Sequence, residues 1–245
     1  MNDLVQSIRQ KYLQTLETIA NAAQSAGRKP ESVRLVVVTK TQPLEIVRAA
    51  IEAGVTVLGE NYPEEGVMKI QSLREFSAVE WHMIGHVQSR KAQLVPGNFN
   101  LLHSLDSLKL ANRLDRFCGE AGRKLPVLLE FNVGGEDSKS GWLAGDESHW
   151  PSLLSELAAV IALPNLQVRG LMTMPPLGGT AEFSRPFFQK LRSLQEYLAS
   201  QFPQADFSEL SMGTSGDYEV AVQEGATIVR IGTAIVGARQ YKLEA

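Results

Sequence analysis

The sequence predicts an α/β fold: one (β/α)8 barrel of the TIM type with an extra N-terminal helix, in a single domain over residues 1–245. Eight short apolar segments alternate with segments of helical periodicity, and about 250 residues is the usual length of such a barrel. Three joints (IEAGVTVLGE, GEAGRKLPVLLEF and QEGATIVRIG) repeat helix, acidic residue, glycine and apolar strand, as βα units do when each helix ends in a glycine. No G-x-G-x-x-G follows the first strand, which disfavours a doubly wound open sheet.

The first element is a helix over residues 1–27, which we expect to pack on the barrel. Apolar residues recur in it at helical spacing: Leu4, Ile8, Leu16, Ile19 and Ala23. Acidic Asp3 and Glu17 lie within it, so it resembles neither a signal peptide nor a transit peptide. No apolar run approaches the roughly 18 residues of a membrane span. We therefore expect a cytoplasmic protein that contacts no membrane.

The eight predicted strands and their helices follow in order. The strands cover residues 35–40, 55–60, 80–86, 100–105, 126–133, 166–173, 206–212 and 226–232. The helices cover residues 44–53, 61–73, 88–95, 106–122, 147–161, 181–201, 215–225 and 233–239. Pro43 is placed to begin the first of these helices and Gly54 to end it, and Asp106 or Ser107 is placed to cap another.

Composition excludes several classes of function. The net charge of −3 comes from 24 basic and 27 acidic residues without long runs, so no nucleic-acid-binding surface is predicted. The one cysteine, Cys118, cannot form an internal disulfide and fits a reducing compartment. We predict no metal site.

Lys40 is the first candidate functional residue. It ends the apolar run LVVVTK, which is typical of a strand buried on both faces. An amine that is partly desolvated at a strand end can attack an aldehyde and form a Schiff base. The alternative is a lysine whose ammonium group reaches water at the end of the strand. Lys139, in the loop after strand five, is a rival imine-forming residue or a solvated loop lysine.

The loops after strands seven and eight are candidates for an anion site. They read SMGTSGD (211–217) and GTA (232–234), which offer hydroxyls, glycines and a following helix. In (β/α)8 barrels, these two loops commonly bind phosphate. Together with Lys40 they predict a ligand with an aldehyde at one end and a phosphate at the other. Pyridoxal 5′-phosphate and a phosphorylated sugar both have that chemistry.

Arg230 favours the first of these ligands. It is the charged residue of strand eight, and a pyridine nitrogen could accept its hydrogen bond. Because arginine keeps its proton, the ring nitrogen would stay unprotonated and the ring would be a weaker electron sink. The alternative is an ion pair of Arg230 with Glu130 or Glu60.

These motifs together resemble the YggS/PROSC family of pyridoxal phosphate homeostasis proteins, whose fold is similar to the barrel domain of alanine racemase. The resemblance runs through VVVTKTQP, LGENYPEE, WHMIGHVQSRK, LLHSLDS, FNVGGEDSKSGW, VRGLMTMP and LSMGTSGDYEVAVQEGATIVRIGTAIVG. It implies a barrel that holds pyridoxal phosphate as an internal aldimine on Lys40. It also implies these further cofactor-binding residues: Asn61 and His86 near the cofactor, Ser211, Gly213, Thr214, Gly232 and Thr233 at the phosphate, and Arg230 at the ring nitrogen. Thr214 and Gly216 depart from the family pattern, where methionine and an acidic residue or alanine are more common.

The sequence favours a carrier over an enzyme. Racemases of similar fold take a second base, a tyrosine, from an additional domain, and we expect no such domain here. Tyr62 and Tyr218 are predicted near the barrel mouth but as surface residues that begin helices, and His86 is a better candidate for the cavity than His82. We therefore expect a monomer that carries or buffers the cofactor for amino acids or pyridoxal phosphate-dependent apoenzymes. A small racemase or a Schiff-base lyase is the alternative.

Overall fold

A computed structural model describes residues 3–136, 139–176 and 178–238 and contains a closed parallel barrel. Its strands are β1 (Arg34–Val38), β2 (Val57–Glu60), β3 (Glu80–Met83), β4 (Leu101–Leu105), β5 (Leu125–Asn132), β6 (Trp142–Leu143), β7 (Leu166–Met172), β8 (Glu209–Ser211) and β9 (Ile228–Ile231). Eight of them form the ring in the order β1, β2, β3, β4, β5, β7, β8 and β9, and β1 pairs with β9 to close it. The predicted barrel is confirmed. The two-residue strand β6 pairs with β5 beside the ring and was not predicted, because two residues show no alternation.

Helices cover the outside of the ring. They are α1 (Asp3–Ser25), α2 (Leu44–Glu52), α3 (Pro63–Ser72), α4 (Leu108–Glu120), α5 (Trp150–Ile161), α6 (Arg185–Gln201), α7 (Tyr218–Gln223) and α8 (Thr233–Val236). The predicted helix at 88–95 is instead a 3-10 helix, Ser89–Leu94. Two further 3-10 turns precede α5 and α6, because Pro151 and Pro186 fit the first turn of an α-helix but not its interior.

Alternation along the strands positions the site. An apolar layer inside the barrel is formed by Val36, Val57, Leu101, Leu128, Met172 and Ile228. Side chains in a strand alternate between faces, so residues two positions later also point inward, nearer the carboxyl ends. Glu130 and Arg230 are two of them. The opposite faces of the strands pack against the helices in a larger apolar core.

The N-terminal helix packs against helices that surround the barrel. It contacts α2, α7 and α8, and its buried apolar residues include Ile8, Ile19 and Ala23. Arg28, just after it, donates hydrogen bonds to Val222 O at 2.6 Å and Ala226 O at 2.9 Å. Among the described residues, no helix is both long and apolar enough to cross a membrane.

Candidate functional site at the barrel mouth

A cavity of about 450 Å³ opens at the carboxyl ends of the strands. Seven of the nine predicted site residues line it: Lys40, Asn61, His86, Thr214, Arg230, Gly232 and Thr233. The remaining two, Ser211 and Gly213, are buried and do not line it. The alternating pattern of strands and helices thus brings residues separated by nearly 200 positions to one rim.

Lys40 lies in a turn that is fixed by its neighbours. Its side chain is partly buried at the cavity wall. Thr41 has a φ of 60°, a left-handed conformation that non-glycine residues rarely adopt. The Thr41 N–H donates to Glu65 Oε1 at 2.7 Å, and the Thr41 hydroxyl donates to Lys40 O at 2.7 Å. The turn after β1 is therefore specified by side chains from α3.

A second lysine, Lys69 on α3, holds that turn in place through hydrogen bonds. Its side chain is 1% exposed, and its Nζ donates to Thr39 O at 2.6 Å, Glu60 Oε1 at 2.8 Å and Glu65 Oε1 at 2.6 Å. Thr39 Oγ1 also donates to Glu60 Oε1, at 2.6 Å. Burial raises the pKa of Glu60, and Lys69 opposes that shift. The sequence analysis did not identify this cluster; the Glu65–Lys69 spacing of four residues on a helix was the available signal.

Arg230 forms part of the cavity wall and is 4% exposed. Its NH1 donates to Ser211 Oγ, and its NH2 contacts Thr173 O and Met174 Sδ, each at 3.0 Å. Burial lowers its pKa to about 10, against the opposing effects of Glu130 and Asp217. No carboxylate of a described residue lies within ion-pair distance of it, and Glu60 bonds Lys69 and Thr39 instead. The alternative of an ion pair with Glu130 or Glu60 is therefore wrong.

Glu130, near the end of β5, stands across the ring from β1. It lines the cavity, and its Oε2 is buried without a hydrogen-bond partner among the described residues. Burial is the largest cause that raises its pKa to about 7; Asp106 adds to the rise, and Arg230 opposes it. A carboxyl group with this pKa changes its protonation near neutral pH. The sequence analysis considered Glu130 only as a partner of Arg230.

The Glu130 carboxyl makes stability depend on pH. Its pKa in the folded state lies above the ordinary value of 4.5, so the folded protein holds a proton that the unfolded chain loses. The contribution of Glu130 to the free energy of unfolding is fully present below pH 4.5 and is lost as the pH rises through 7. The loss is about 3 kcal/mol at most. We expect the urea midpoint to fall between pH 5 and pH 8 by less in Glu130→Gln than in the wild-type protein. Glu60, whose pKa is also raised, is present in both proteins and so does not affect their difference. Equal pH dependence of the wild-type protein and Glu130→Gln would contradict the raised pKa of Glu130.

His86 and Asn61 lie on the β2–β3 side of the mouth. His86 is exposed, and its Nδ1 lies 2.7 Å from Asp106 Oδ2 and 3.4 Å from Ser140 Oγ. Asn61 passes so close to Gly85 that a Cβ on that glycine would come within 2.4 Å of Asn61 O. Gly85 is thus required for the backbone just after β3 to approach Asn61.

The two predicted phosphate loops differ in what they offer. The Thr214 N–H and hydroxyl both donate to Asp217 Oδ1, at 2.7 and 3.1 Å, so its donors are already used. Ser215, which the sequence analysis did not single out, is exposed and lines the cavity. Gly232 and Thr233 begin α8 at the cavity rim, beside Val38 of β1.

Three other candidates lie away from the cavity. Tyr62 is 51% exposed, and neither it nor Tyr218 is among the residues that line the cavity. Lys139 lines a smaller neighbouring cavity of about 180 Å³ that shares Glu130 with the first. Its Nζ donates to Met174 O at 3.1 Å and Pro175 O at 2.5 Å and pairs with Glu136 at 2.8 Å. Lys139 is therefore a partly exposed loop lysine whose ammonium group also contacts protein oxygens. In the described part of the chain, no group of three or more histidine, cysteine or acidic residues is placed to hold a metal ion.

Comparison with known proteins agrees with this geometry. Residues 13–240 match the family of alanine racemase N-terminal domains. The chain is 43% identical over 239 residues to the pyridoxal phosphate homeostasis protein of Vibrio alginolyticus, covering 96% of this chain and 99% of the relative. The protein of the same name from Escherichia coli K12 is 39% identical over 246 residues, covering 98% and 99%. PipY of Synechococcus elongatus, solved with PLP bound, is 38% identical with a TM-score of 0.77, covering 89% of this chain and all of PipY.

The closed parallel barrel and the match over residues 13–240 place the chain in the class of alanine racemase N-terminal-domain barrels. Within that class, the chain belongs to the family of pyridoxal phosphate homeostasis proteins. The resemblance seen in the sequence motifs is thereby confirmed.

Proposed function

We propose that this chain binds pyridoxal 5′-phosphate at the barrel mouth, holds it as a Schiff base on Lys40 Nζ, and serves in the homeostasis of that cofactor. The observation that carries the proposal is that Lys40, Arg230 and both candidate phosphate loops line one cavity of about 450 Å³. This volume lies within the usual range for small-molecule sites. The amine, the buried cation and the loop donors match the aldehyde, the ring nitrogen and the phosphate of this ligand.

Arg230 would face the ring nitrogen. Its pKa of about 10 leaves the guanidinium charged at pH 7, so it donates hydrogen bonds and cannot accept a proton from the ring. Two of its nitrogens already bond to protein groups, while Nε has no hydrogen bond to a described residue. When bound, the cofactor supplies an electrophilic aldehyde and a conjugated ring, and this arginine would keep the ring a weak electron sink.

The phosphate would lie against Gly232, Thr233 and Ser215. All three line the cavity, and the residues of the first turn of a helix have N–H groups without helical partners. Thr214 is a weaker candidate because Asp217 takes its donors and would repel an anion. Asn61 and His86, on the opposite rim, would contact the ring side of the ligand.

The wall composition supports a carrier more than a racemase. No tyrosine is among the described residues that line the cavity, so a tyrosine second base would have to come from elsewhere. We expect a cytoplasmic monomer that passes the cofactor to amino acids or to apoenzymes. Metal ions and nucleic acid have no part in the proposal.

The test is a titration of cofactor-free protein, followed by absorbance, with pyridoxal 5′-phosphate and with pyridoxine 5′-phosphate, which lacks the aldehyde. We expect a one-to-one complex with the first ligand and a covalent adduct after borohydride reduction. The second ligand should bind without an adduct. Absence of saturable binding of either would refute the proposed function.

A second measurement separates a carrier from an enzyme. The loaded protein is incubated in heavy water with several amino acids, and exchange of the Cα hydrogen is followed by NMR. We expect no exchange at ordinary enzymatic rates, since the part of the cavity wall formed by described residues holds no tyrosine base. Rapid exchange with any amino acid would favour the racemase alternative.

A further inference from the structure

A file of polar side chains crosses the barrel interior below the cavity. Arg230, Ser211, His103 and His82 are each no more than 4% exposed. Arg230 NH1 donates to Ser211 Oγ, His103 Nδ1 lies 2.8 Å from Ser211 Oγ, and His103 Nε2 lies 3.0 Å from His82 Nδ1. Beyond them, His82 Nε2 lies 3.4 Å from Glu80 Oε2 at the opposite end of the barrel. The proposed function uses only the first member of this file.

The arginine fixes the direction of every hydrogen bond in the file. A guanidinium can only donate, so Ser211 Oγ must accept from Arg230. His103 Nδ1 is the other hydrogen-bond partner of Ser211 Oγ among the described residues, so the hydroxyl proton has no other acceptor there. It is directed to His103 Nδ1, which is then unprotonated. A neutral imidazole carries one proton, which here belongs on His103 Nε2 and is donated to His82 Nδ1.

The same step applied again places the His82 proton on Nε2, which lies 3.4 Å from Glu80 Oε2 and makes no hydrogen bond with the described residues. Burial lowers the pKa of both histidines, which agrees with two neutral rings. The tautomers of both imidazoles are therefore set by a residue at the cavity. All four hydrogens point away from Arg230.

We infer that Ser211 and His103 are positioning residues for Arg230 and that Ser211 is not a phosphate ligand. Ser211 Oγ accepts from the guanidinium, while Thr173 O and Met174 Sδ accept from its other end, which fixes the guanidinium plane. The donation from Ser211 to His103 polarises the hydroxyl and strengthens its acceptance from the arginine. The one donor of Ser211 is thereby used, and its side chain is fully buried. The inference rests on the proposed function only in that Arg230 faces the ligand.

The first test needs no ligand. Imidazole nitrogen shifts of ¹⁵N-histidine-labelled, cofactor-free protein report the protonation of each ring nitrogen. His103→Gln and His82→Gln assign the signals of these two residues among the four histidines. We expect both His103 and His82 to carry their proton on Nε2 between pH 6 and pH 8. In Ser211→Ala, His103 Nδ1 loses its donor and its shift should change, whereas Thr233→Ala should leave it unchanged. A proton on His103 Nδ1 in the wild-type protein would reverse the direction and overturn the inference.

The second test separates positioning from phosphate binding. Affinities are measured for pyridoxal 5′-phosphate and for pyridoxal, which has no phosphate. If Ser211 positions Arg230, Ser211→Ala should weaken both ligands by about tenfold, since a hydrogen bond to a charged group is lost. The control Thr233→Ala should weaken only the phosphorylated ligand.

Two outcomes contradict the inference here. Loss confined to the phosphorylated ligand in Ser211→Ala would make Ser211 a phosphate ligand, and unchanged affinity for both would deny it any role. Should Ser211→Ala fail to fold, His103→Gln and His103→Leu replace it. Glutamine retains a hydrogen-bond donor and an acceptor, so the His103→Gln protein should bind pyridoxal more tightly than the His103→Leu protein. Failure of the wild-type protein to bind either ligand would refute the proposed function and leave the nitrogen-shift result standing.

Discussion

Lys40→Ala is expected to abolish covalent capture of pyridoxal 5′-phosphate. Borohydride reduction should leave no cofactor mass on the variant, while the wild-type chain carries one equivalent. The reason is chemical: a Schiff base needs a primary amine, and Lys40 is the lysine that lines the main cavity among the described residues. Mass spectrometry of the intact reduced protein and of its peptides measures the result.

The matched control is Lys139→Ala. Lys139 lines the neighbouring cavity, but its ammonium group is bound by two carbonyls and Glu136. These contacts hold the Lys139 nitrogen against protein oxygens, so it is poorly placed to attack an aldehyde in the barrel-mouth cavity. We expect Lys139→Ala to trap the cofactor as the wild-type protein does. Trapping that persisted on Lys139 in the Lys40→Ala chain would move the reactive amine to the second cavity.

The ring of strands could be predicted because its signals are local. Most of its eight strands are short and largely apolar, and the helices between them end at residues such as Gly54, whose φ of 103° favours glycine. Since the carboxyl ends of parallel strands share one face, the positions of Lys40 and Arg230 in their strands were enough to bring them together. The rim of the site was therefore predictable from strand ends alone.

The interior of the site was not predictable, because burial and hydrogen-bond partners depend on contacts between distant strands. Ser211 was predicted to hold the phosphate, but its side chain lies inside the barrel and is hydrogen-bonded to Arg230 and His103. Thr214 was predicted to donate to the phosphate, but its N–H and hydroxyl donate hydrogen bonds to Asp217, three residues later. Lys69 reads as the exposed partner of an i,i+4 pair, although it is 1% exposed.

Substitution of the buried Lys69 is expected to have a large effect on stability. Lys69→Met is expected to lower the free energy of unfolding by about 3–5 kcal/mol, the usual cost of removing one member of a buried ion pair. The substitution would leave Glu60 without its counter-ion at 0% exposure and would remove one of the two donors to Thr39 O, the other being the Gln42 N–H. Urea unfolding of the cofactor-free protein measures the change. Lys91→Met is the control, because Lys91 pairs with Glu64 at the surface and such pairs contribute at most about 1 kcal/mol.

The pH dependence identifies the cause of that loss. Burial raises the pKa of Glu60 and Lys69 opposes the rise, so removing Lys69 should raise that pKa further. The carboxyl is then neutral in the folded variant at low pH, and the deficit should be smaller at pH 5 than at pH 8. Glu60→Gln added to Lys69→Met should recover stability at pH 8. A deficit that was independent of pH and unrelieved by Glu60→Gln would indicate lost packing instead.

The same variant connects stability to the proposed chemistry. Lys69 Nζ binds Thr39 O and Glu65, and Glu65 binds the Thr41 N–H, so the residues on both sides of Lys40 are held by one cluster. Even where Lys69→Met remains folded, the turn loses its anchor and Lys40 samples more orientations. We therefore expect Schiff-base formation to slow in Lys69→Met at pH 5, where the variant is most stable, and to remain unchanged in Lys91→Met. An unchanged rate would mean that the left-handed turn at Thr41 positions Lys40 without this cluster.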